Sequence, residues 1–366
     1  MVLSKNYLNQ DAMTSGTITS TSSPSTAADW RAELLSVLPH DRAHWGAVRA
    51  AVSVVVPIAA LSLTGHANLT LFATFGAMAA VFGRHSSYAA RLRMQVTAGL
   101  CLSASVFVGT LVGLVAPASS LAVVVIAALS LTGLLVARRI GLLPVPSLFM
   151  VFAAGSTSAF GHAPIDLVRA SALPLAAAAL AVGIGQLGRL APPGASVKHP
   201  ARPVVPFRKT LAAPGARLDI ARYTLAPLLA GGIATAVGIG HPYWAAVAAT
   251  VPLAGATLGA QLGRGTQRLA GTVLGLAIAT AVLGLNPPLW VLLVVVAAAQ
   301  VWAELFVMRN YALAVVGVTP LALVMVHLAS PLPLSELVGD RLVETVIGVV
   351  VAVVLLIVTT PRRRAA

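Results

Sequence analysis

The sequence predicts an all-α, polytopic membrane protein of about twelve transmembrane helices arranged as two parallel six-helix repeats. Three observations predict it: a strongly apolar composition, twelve apolar segments joined by short polar connections, and a self-similarity at a spacing of 175 residues. Of 366 residues, 58% are hydrophobic and only 9% charged, and the mean hydropathy is +0.91. Soluble domains carry roughly a quarter charged residues, so this chain is built for lipid.

The apolar segments lie near 46–63, 68–82, 94–115, 119–137, 143–159, 167–188, 223–240, 243–257, 268–285, 288–306, 311–328 and 341–360. Backbone groups in lipid must be satisfied within the segment, which selects helices. The segments are apolar throughout and lack the alternation a membrane barrel needs. Residues 65–101 (GHANLTLFATFGAMAAVFGRHSSYAARLRMQVTAGLC) align without a gap on 240–276 (GHPYWAAVAATVPLAGATLGAQLGRGTQRLAGTVLGL). In that frame Gly65/Gly240, His66/His241, Ala73/Ala248, Ala79/Ala254, Arg93/Arg268, Thr97/Thr272, Ala104/Ala279 and Gly109/Gly284 coincide. Fixed-period identity of this kind reads as an internal duplication.

In chain order, residues 1–44 form a Ser/Thr-rich N-terminus expected to be disordered, ending in a short amphipathic helix capped by Asp29. That helix carries Trp30, Leu34, Leu35 and Leu38 on one side and is expected at the membrane interface. Residues 45–190 are the first six-span repeat, and no cleavable signal precedes them, so the first span is expected to serve as a signal anchor. Residues 191–222 are a Pro-rich, basic cytoplasmic linker suited to anionic headgroups. The second six-span repeat covers 223–361, and a basic tail, 362–366, follows. Within the second repeat, 243–257 is interrupted by Pro252 and Gly255, and a Gly-rich turn bearing Arg264 and Arg268 is expected next. Short, Gly/Pro-broken segments at corresponding places in two halves, here around Gly76 and Pro252, point to a transport site.

The net charge of +14 invites a nucleic-acid reading, but the basic residues cluster at the ends of apolar segments. Alternate connections are basic, carrying Arg84/Arg91/Arg93, Arg138/Arg139, the linker, Arg264/Arg268, Arg309 and Arg362–Arg364. Of 24 basic residues only Arg169 and Arg341 fall on the other side. By the positive-inside rule both termini are expected in the cytoplasm. Six spans per half then give both halves one orientation, with the pseudo-twofold axis along the membrane normal. Cys101 is the single cysteine, which excludes disulfides within the chain.

The second half resembles the fusaric-acid-resistance-like (FUSC) family, a bacterial group related to aromatic-acid exporters. The resemblance rests on Tyr243-Trp244-Ala245-Ala246, Gly265-Thr266-Gln267-Arg268-Leu269-Ala270-Gly271-Thr272, Arg309-Asn310-Tyr311 through Val316 with Thr319-Pro320-Leu321, and Asp340-Arg341-Leu342-Val343-Glu344-Thr345. The first half keeps Arg93 and Thr97 but has Asn68-Leu69 in place of the aromatic pair and lacks the Asn-Tyr signature. The resemblance implies six-span repeats, a bacterial plasma membrane and efflux of small organic or aromatic acids. Longer relatives add a soluble cytoplasmic domain between or after the spans.

No enzyme constellation or phosphate loop is visible. His40 and His44 have the one-turn spacing of a metal pair without a third ligand nearby, so no cofactor is expected. The substrate candidates are Arg93, Thr97, Tyr243, Trp244, Arg268 and Thr272, to which the resemblance adds Asn310 and Tyr311. A guanidinium and a hydroxyl one turn apart share a helix face and can hold a carboxylate. The competing reading is that both arginines anchor the cytoplasmic ends of helices, and that Tyr243 and Trp244 join Trp45 and Trp290 in an interfacial belt. The proton-coupling candidates are Glu304, Asp340, Glu344 and His241, the last paired with His66 in the repeat frame. Glu304 reads equally as a structural partner of Arg268 or Arg309, and Asp340, Arg341 and Glu344 as a solvated helix start. The expected partners are membrane lipids and a small organic anion but no nucleic acid, with a homo-oligomer left open. A proton-driven exporter is the leading reading; the alternatives are a passive organic-anion channel, as distantly similar plant proteins are, and a non-transporting scaffold.

Overall fold

The computed structural model describes residues 26–38, 43–84, 86–190, 202–329 and 333–360. The stretch 1–25, His40, linker residues 191–201 and the basic tail lie outside the described residues. Each of the twelve apolar segments contains a helix, and among the described residues there is no β-strand.

A short helix, α1 (Thr26–Leu35), precedes the bundle. The first half runs α2 (Ala43–Leu63), α3 (Thr70–Ala77), α4 (Tyr88–Val115), α5 (Ser120–Ile140), α6 (Ser147–Ser158) and α7 (Ile165–Gln186). After α8 (Phe207–Ala212), the second half runs α9 (Ala216–Val237), α10 (Tyr243–Thr250), α11 (Leu258–Gly284), α12 (Leu289–Phe306), α13 (Tyr311–Ala329) and α14 (Leu334–Thr359). Nine helices of the described residues are long and apolar enough to cross a membrane. The other three apolar helical stretches, Ala67–Val81, Ser147–Ser158 and Tyr243–Ala254, are shorter.

Several helices begin well before the charged residues that bound their apolar segments. α4 starts at Tyr88 rather than near 94, α11 at Leu258 rather than 268, and α14 at Leu334 rather than 341. The expected Gly-rich turn around Arg264 is therefore helix. Likewise α9 already starts at Ala216, inside the stretch expected to be linker. Burial between helices lets the chain stay helical through its charges, which hydropathy alone reads as ends.

Two breaks are shared by the halves. α3 passes into a 3-10 turn at Met78–Val81, and Phe82 turns extended before Gly83 at φ +73°. α10 passes into a 3-10 turn at Pro252–Ala254, where proline lacks the N–H a continuing helix needs, and Gly255 is extended. The next helix of each half is then capped by a hydroxyl: Ser87 accepts from the Ala90 N–H (3.4 Å) and Thr257 from that of Ala260 (3.2 Å). The first of these breaks falls in the region expected around Gly76; Gly76 itself is the last residue but one of α3 and allows a close approach to α7. A Cβ there would sit 1.9 Å from the Pro174 carbonyl oxygen. Gly76→Ala is expected to cost about 1–3 kcal/mol or more by overpacking, seen as a lower unfolding midpoint of the purified protein.

Helix pairings correspond between the halves. α4 packs on α6 and α7 as α11 packs on α13 and α14; α3 meets α7 as α10 meets α14; α5 meets α6 as α12 meets α13. Between halves, α2 packs on α12 and α9 on α5. The largest core cluster joins both halves, with Val54, Ile58, Ala73 and Val151 beside Tyr243, Trp244, Val247 and Leu323. Three features recur 170 residues apart: prolines within the first long helix of each half (Pro57/Pro227), caps (Ser87/Thr257) and arginines after which the next helix pair turns (Arg139/Arg309). The short helical stretches before the breaks start 176 apart (243 − 67), at Ala67 and Tyr243. Ala and Gly fill these helices, so identities accumulate in more than one register. At the 170 spacing Arg268 falls on Ala98, and Arg93 on Gly263.

Candidate functional site

The second half assembles a buried polar cluster from four helices. All eight residues of α10 are buried. Gly348 on α14 permits a close crossing with α10, since a Cβ there would come within 2.3 Å of the Ala245 carbonyl oxygen. That crossing sets the Arg341 guanidinium over the Trp244 ring, 4.7 Å from its centroid. Gly271 does the same for α11 and α13, lying against the Ala312 carbonyl and Val315. Across that crossing Arg268 Nη1 donates to the Tyr311 hydroxyl at 3.4 Å.

Neither arginine is an exposed anchor: Arg268 is 2% and Arg341 1% exposed. Arg268 is the eleventh residue of α11 (258 to 268), about 15 Å along the helix at 1.5 Å per residue. The two guanidiniums act on one another electrostatically, and Glu344 and Tyr243 act on Arg341 as well. Nε and Nη2 of Arg268, Nε and Nη1 of Arg341, and the hydroxyls of Thr272 and Thr319 are buried without a hydrogen-bond partner among the described residues. Like charges in a low-dielectric interior repel, and each buried unpaired charge costs several kcal/mol. An anion accepting from both forks would cancel these costs together, and Arg forks are suited to carboxylates. Trp244, fully buried, and Tyr243 supply flat apolar walls beside them.

Behind Trp244 sits an acid–histidine group. The His241 ring stacks on Trp244 (4.8 Å between centroids). Its Nδ1 lies 3.0 Å from Asp340 Oδ2, and its backbone N–H donates to Glu344 Oε1 at 3.0 Å. Oε2 of Glu344 is buried and has no partner among the described residues.

The structure thus brings together Tyr243, Trp244, Arg268, Thr272, Tyr311, His241, Asp340 and Glu344. It leaves four candidates elsewhere. Arg93, half-buried near the start of α4, donates through Nη2 to the Arg202 carbonyl, and Thr97 is one turn further on the same helix. Asn310 donates to the carbonyls of Leu34 (3.2 Å) and Ser36 (3.1 Å), so it binds the N-terminal segment. Glu304 pairs with Arg84 of the other half rather than with Arg268 or Arg309. His66 is exposed beside Thr64, unlike its repeat partner His241.

Other expectations are corrected too. Tyr243 and Trp244 are core, 3% and 0% exposed, whereas Trp45 (66%) and Trp290 (67%) are exposed as a belt requires. Asp340, Arg341 and Glu344 form no solvated helix start, because α14 begins at Leu334 and carries Arg341 and Glu344 inward. α1 packs on α11, with Trp30 Nε1 donating to Thr266 Oγ1 at 3.2 Å. The His44 ring is tilted against that of Trp45 (5.5 Å between centroids), and among the described residues no three His, Cys, Asp or Glu converge as a metal site. Arg341 is the site residue that sequence reasoning did not place with the substrate groups. Its signal was present in the Asp340-Arg341 pair inside the family pattern, but it read as the start of a span.

Residues 229–355, which include every group of this cluster, match the family described as fusaric acid resistance protein-like. The chain is also 37% identical over 103 residues to an uncharacterized membrane protein, YvaC, of Bacillus subtilis (strain 168). That match covers 28% of this chain and 16% of the relative, so the chain spans well under two thirds of the relative's length. No solved structure matches the chain.

Proposed function

We propose, from the match of residues 229–355 to the fusaric acid resistance protein-like family, that this multi-pass membrane protein exports small organic, chiefly aromatic, acids. The observation that carries the reading is the pair of buried guanidiniums, Arg268 and Arg341, with unpartnered N–H groups beside the rings of Tyr243 and Trp244. The carboxylate of the substrate lies between the forks and its ring against the aromatic wall. Proton coupling runs through His241, which stacks on Trp244, and through Asp340 and Glu344, which His241 contacts. A proton on Glu344 would remove its negative charge from beside Arg341 and leave the anion as that arginine's counter-charge.

In this reading the two halves descend from a duplication in the 170-residue register, and only the second has an arginine at the Arg268 place of its third helical stretch, α11. The end of the bundle bearing Arg84, Arg139 and Arg309 faces the cytoplasm of a bacterial plasma membrane, with both termini on that side. In a Cys101→Ser background, Val205→Cys on intact cells is expected to resist an impermeant thiol reagent while Pro288→Cys reacts. The reverse labelling pattern would invert the topology.

The deciding experiment is uptake of a labelled aromatic acid into everted membrane vesicles. The expected result is accumulation above the outside concentration when a proton gradient is imposed, and its collapse with an uncoupler. Flux that follows only the acid's own gradient would replace the exporter with a passive channel.

A further inference from the structure

At the basic end of the bundle each half is closed by a strap that belongs to the other half. Residues 36–38 lead into α2 of the first half but dock on the α12–α13 turn of the second. The Leu38 N–H donates to the Arg309 carbonyl at 3.1 Å, and Arg309 Nε donates back to the Leu38 carbonyl at 2.8 Å. Residues 202–206 lead towards α9 of the second half but dock on the end of α5 in the first. The Val205 N–H donates to the Arg139 carbonyl at 2.7 Å, and Arg139 Nε donates back to the Val205 carbonyl at 3.4 Å. Arg139 and Arg309 are 170 residues apart (309 − 139), the spacing at which the caps and helix prolines correspond. The same two-bond clasp is therefore built twice, at matching places, by the similar segments Val37-Leu38-Pro39 and Val204-Val205-Pro206.

Further contacts tie each strap down. Asn310 holds the Leu34 and Ser36 carbonyls, and Arg93 holds the Arg202 carbonyl. The first strap, with the end of α1 before it, also reaches the candidate site through adjacent residues. Gln267, next to Arg268, donates to the Glu33 carbonyl at 2.6 Å, and Asn310 is next to Tyr311, whose hydroxyl Arg268 contacts.

We propose that these straps are a matched pair of latches that hold the basic end of the bundle closed, and that exposing the Arg268–Arg341 site at this end requires their release. The inference rests on the transport reading of that site. Each clasp is made of backbone groups and one guanidinium at the membrane surface, where water can replace every partner. Such bonds contribute little net free energy, which suits a contact that opens and closes. A strap crossing between halves also registers any motion of one half against the other.

The test reads access rather than transport, so it stands whether or not the substrate assignment does. In Cys101→Ser protein, Thr272→Cys reports access to the site, its modification by a water-soluble maleimide in everted vesicles being followed at residue 272 by peptide mass spectrometry. Three forms are compared: native straps, straps freed by Arg139→Gln with Arg309→Gln, and straps tied with a short disulfide-containing tether. The tether joins Leu38→Cys to Met308→Cys and Val205→Cys to Ile140→Cys, and leaves both arginines in place. Freed straps are expected to raise the rate about tenfold, the shift in an open population for the loss of one or two hydrogen bonds. Tied straps are expected to suppress modification until the tether is reduced. Equal rates in native and tied protein, or three equal rates including none, would overturn the proposal.

Discussion

Arg268→Gln is expected to raise the half-saturation concentration for the exported acid by about thirtyfold or more. Truncating one partner of a desolvated charge pair typically costs about 2–5 kcal/mol, and 2 kcal/mol is about thirtyfold. Arg268→Lys keeps the charge but loses the planar fork, and is expected to cost about tenfold. Arg341 presents the same unpartnered donors and should follow the same order, with an added loss from its position over Trp244. Arg93→Lys is expected to leave the half-saturation unchanged, because Arg93 serves the strap at Arg202 and lies outside the cluster. Concentration-dependent efflux at matched membrane abundance is the measurement. An unchanged value for Arg268→Gln would return this residue to a purely structural role.

The second large effect concerns the ion pair that joins the halves. Arg84 follows the break after α3, and Glu304 lies near the end of α12; their side chains are 11% and 6% exposed. Arg84 Nη1 also donates to the Glu304 carbonyl at 3.0 Å, and Gln300 Nε2 donates to the carboxylate at 3.4 Å. Glu304→Gln leaves a nearly buried guanidinium without its counter-charge, a change that costs about 3–5 kcal/mol. The expected readout is a marked fall in the unfolding midpoint in detergent. Adding Arg84→Gln should recover much of it, since the uncompensated charge is then gone. A double variant no more stable than Glu304→Gln would show that the pair is not what joins the halves here.

How far the sequence led can be judged on particular residues. Long runs of Val, Leu and Ala carry their own fate in lipid, so all twelve helical stretches were legible. The break at Pro252 was legible as well, because a missing N–H is a property of one residue. The break near Gly76 was legible only as a region: the 3-10 turn begins at Met78, while Gly76 itself serves the crossing at Pro174. Arg268 and Arg341 were read as helix ends because a charge lowers hydropathy wherever it stands. Their burial depends on α11 and α14 lying near one another, a property of packing rather than of either segment. Asn310 belongs to the pattern that carries the family resemblance, yet its side chain serves residues 34–36, more than 270 positions away. No local spacing announces such a contact.

Equilibrium binding of benzoate, and of benzamide as its uncharged counterpart, to the purified protein in detergent tests whether Arg268 and Arg341 together hold an organic carboxylate. Saturable benzoate binding to the unaltered protein is expected, about thirtyfold or more weaker in either Arg268→Gln or Arg341→Gln, with benzamide bound no better than benzoate is by the variants. Benzoate binding of equal strength in all three proteins would contradict it.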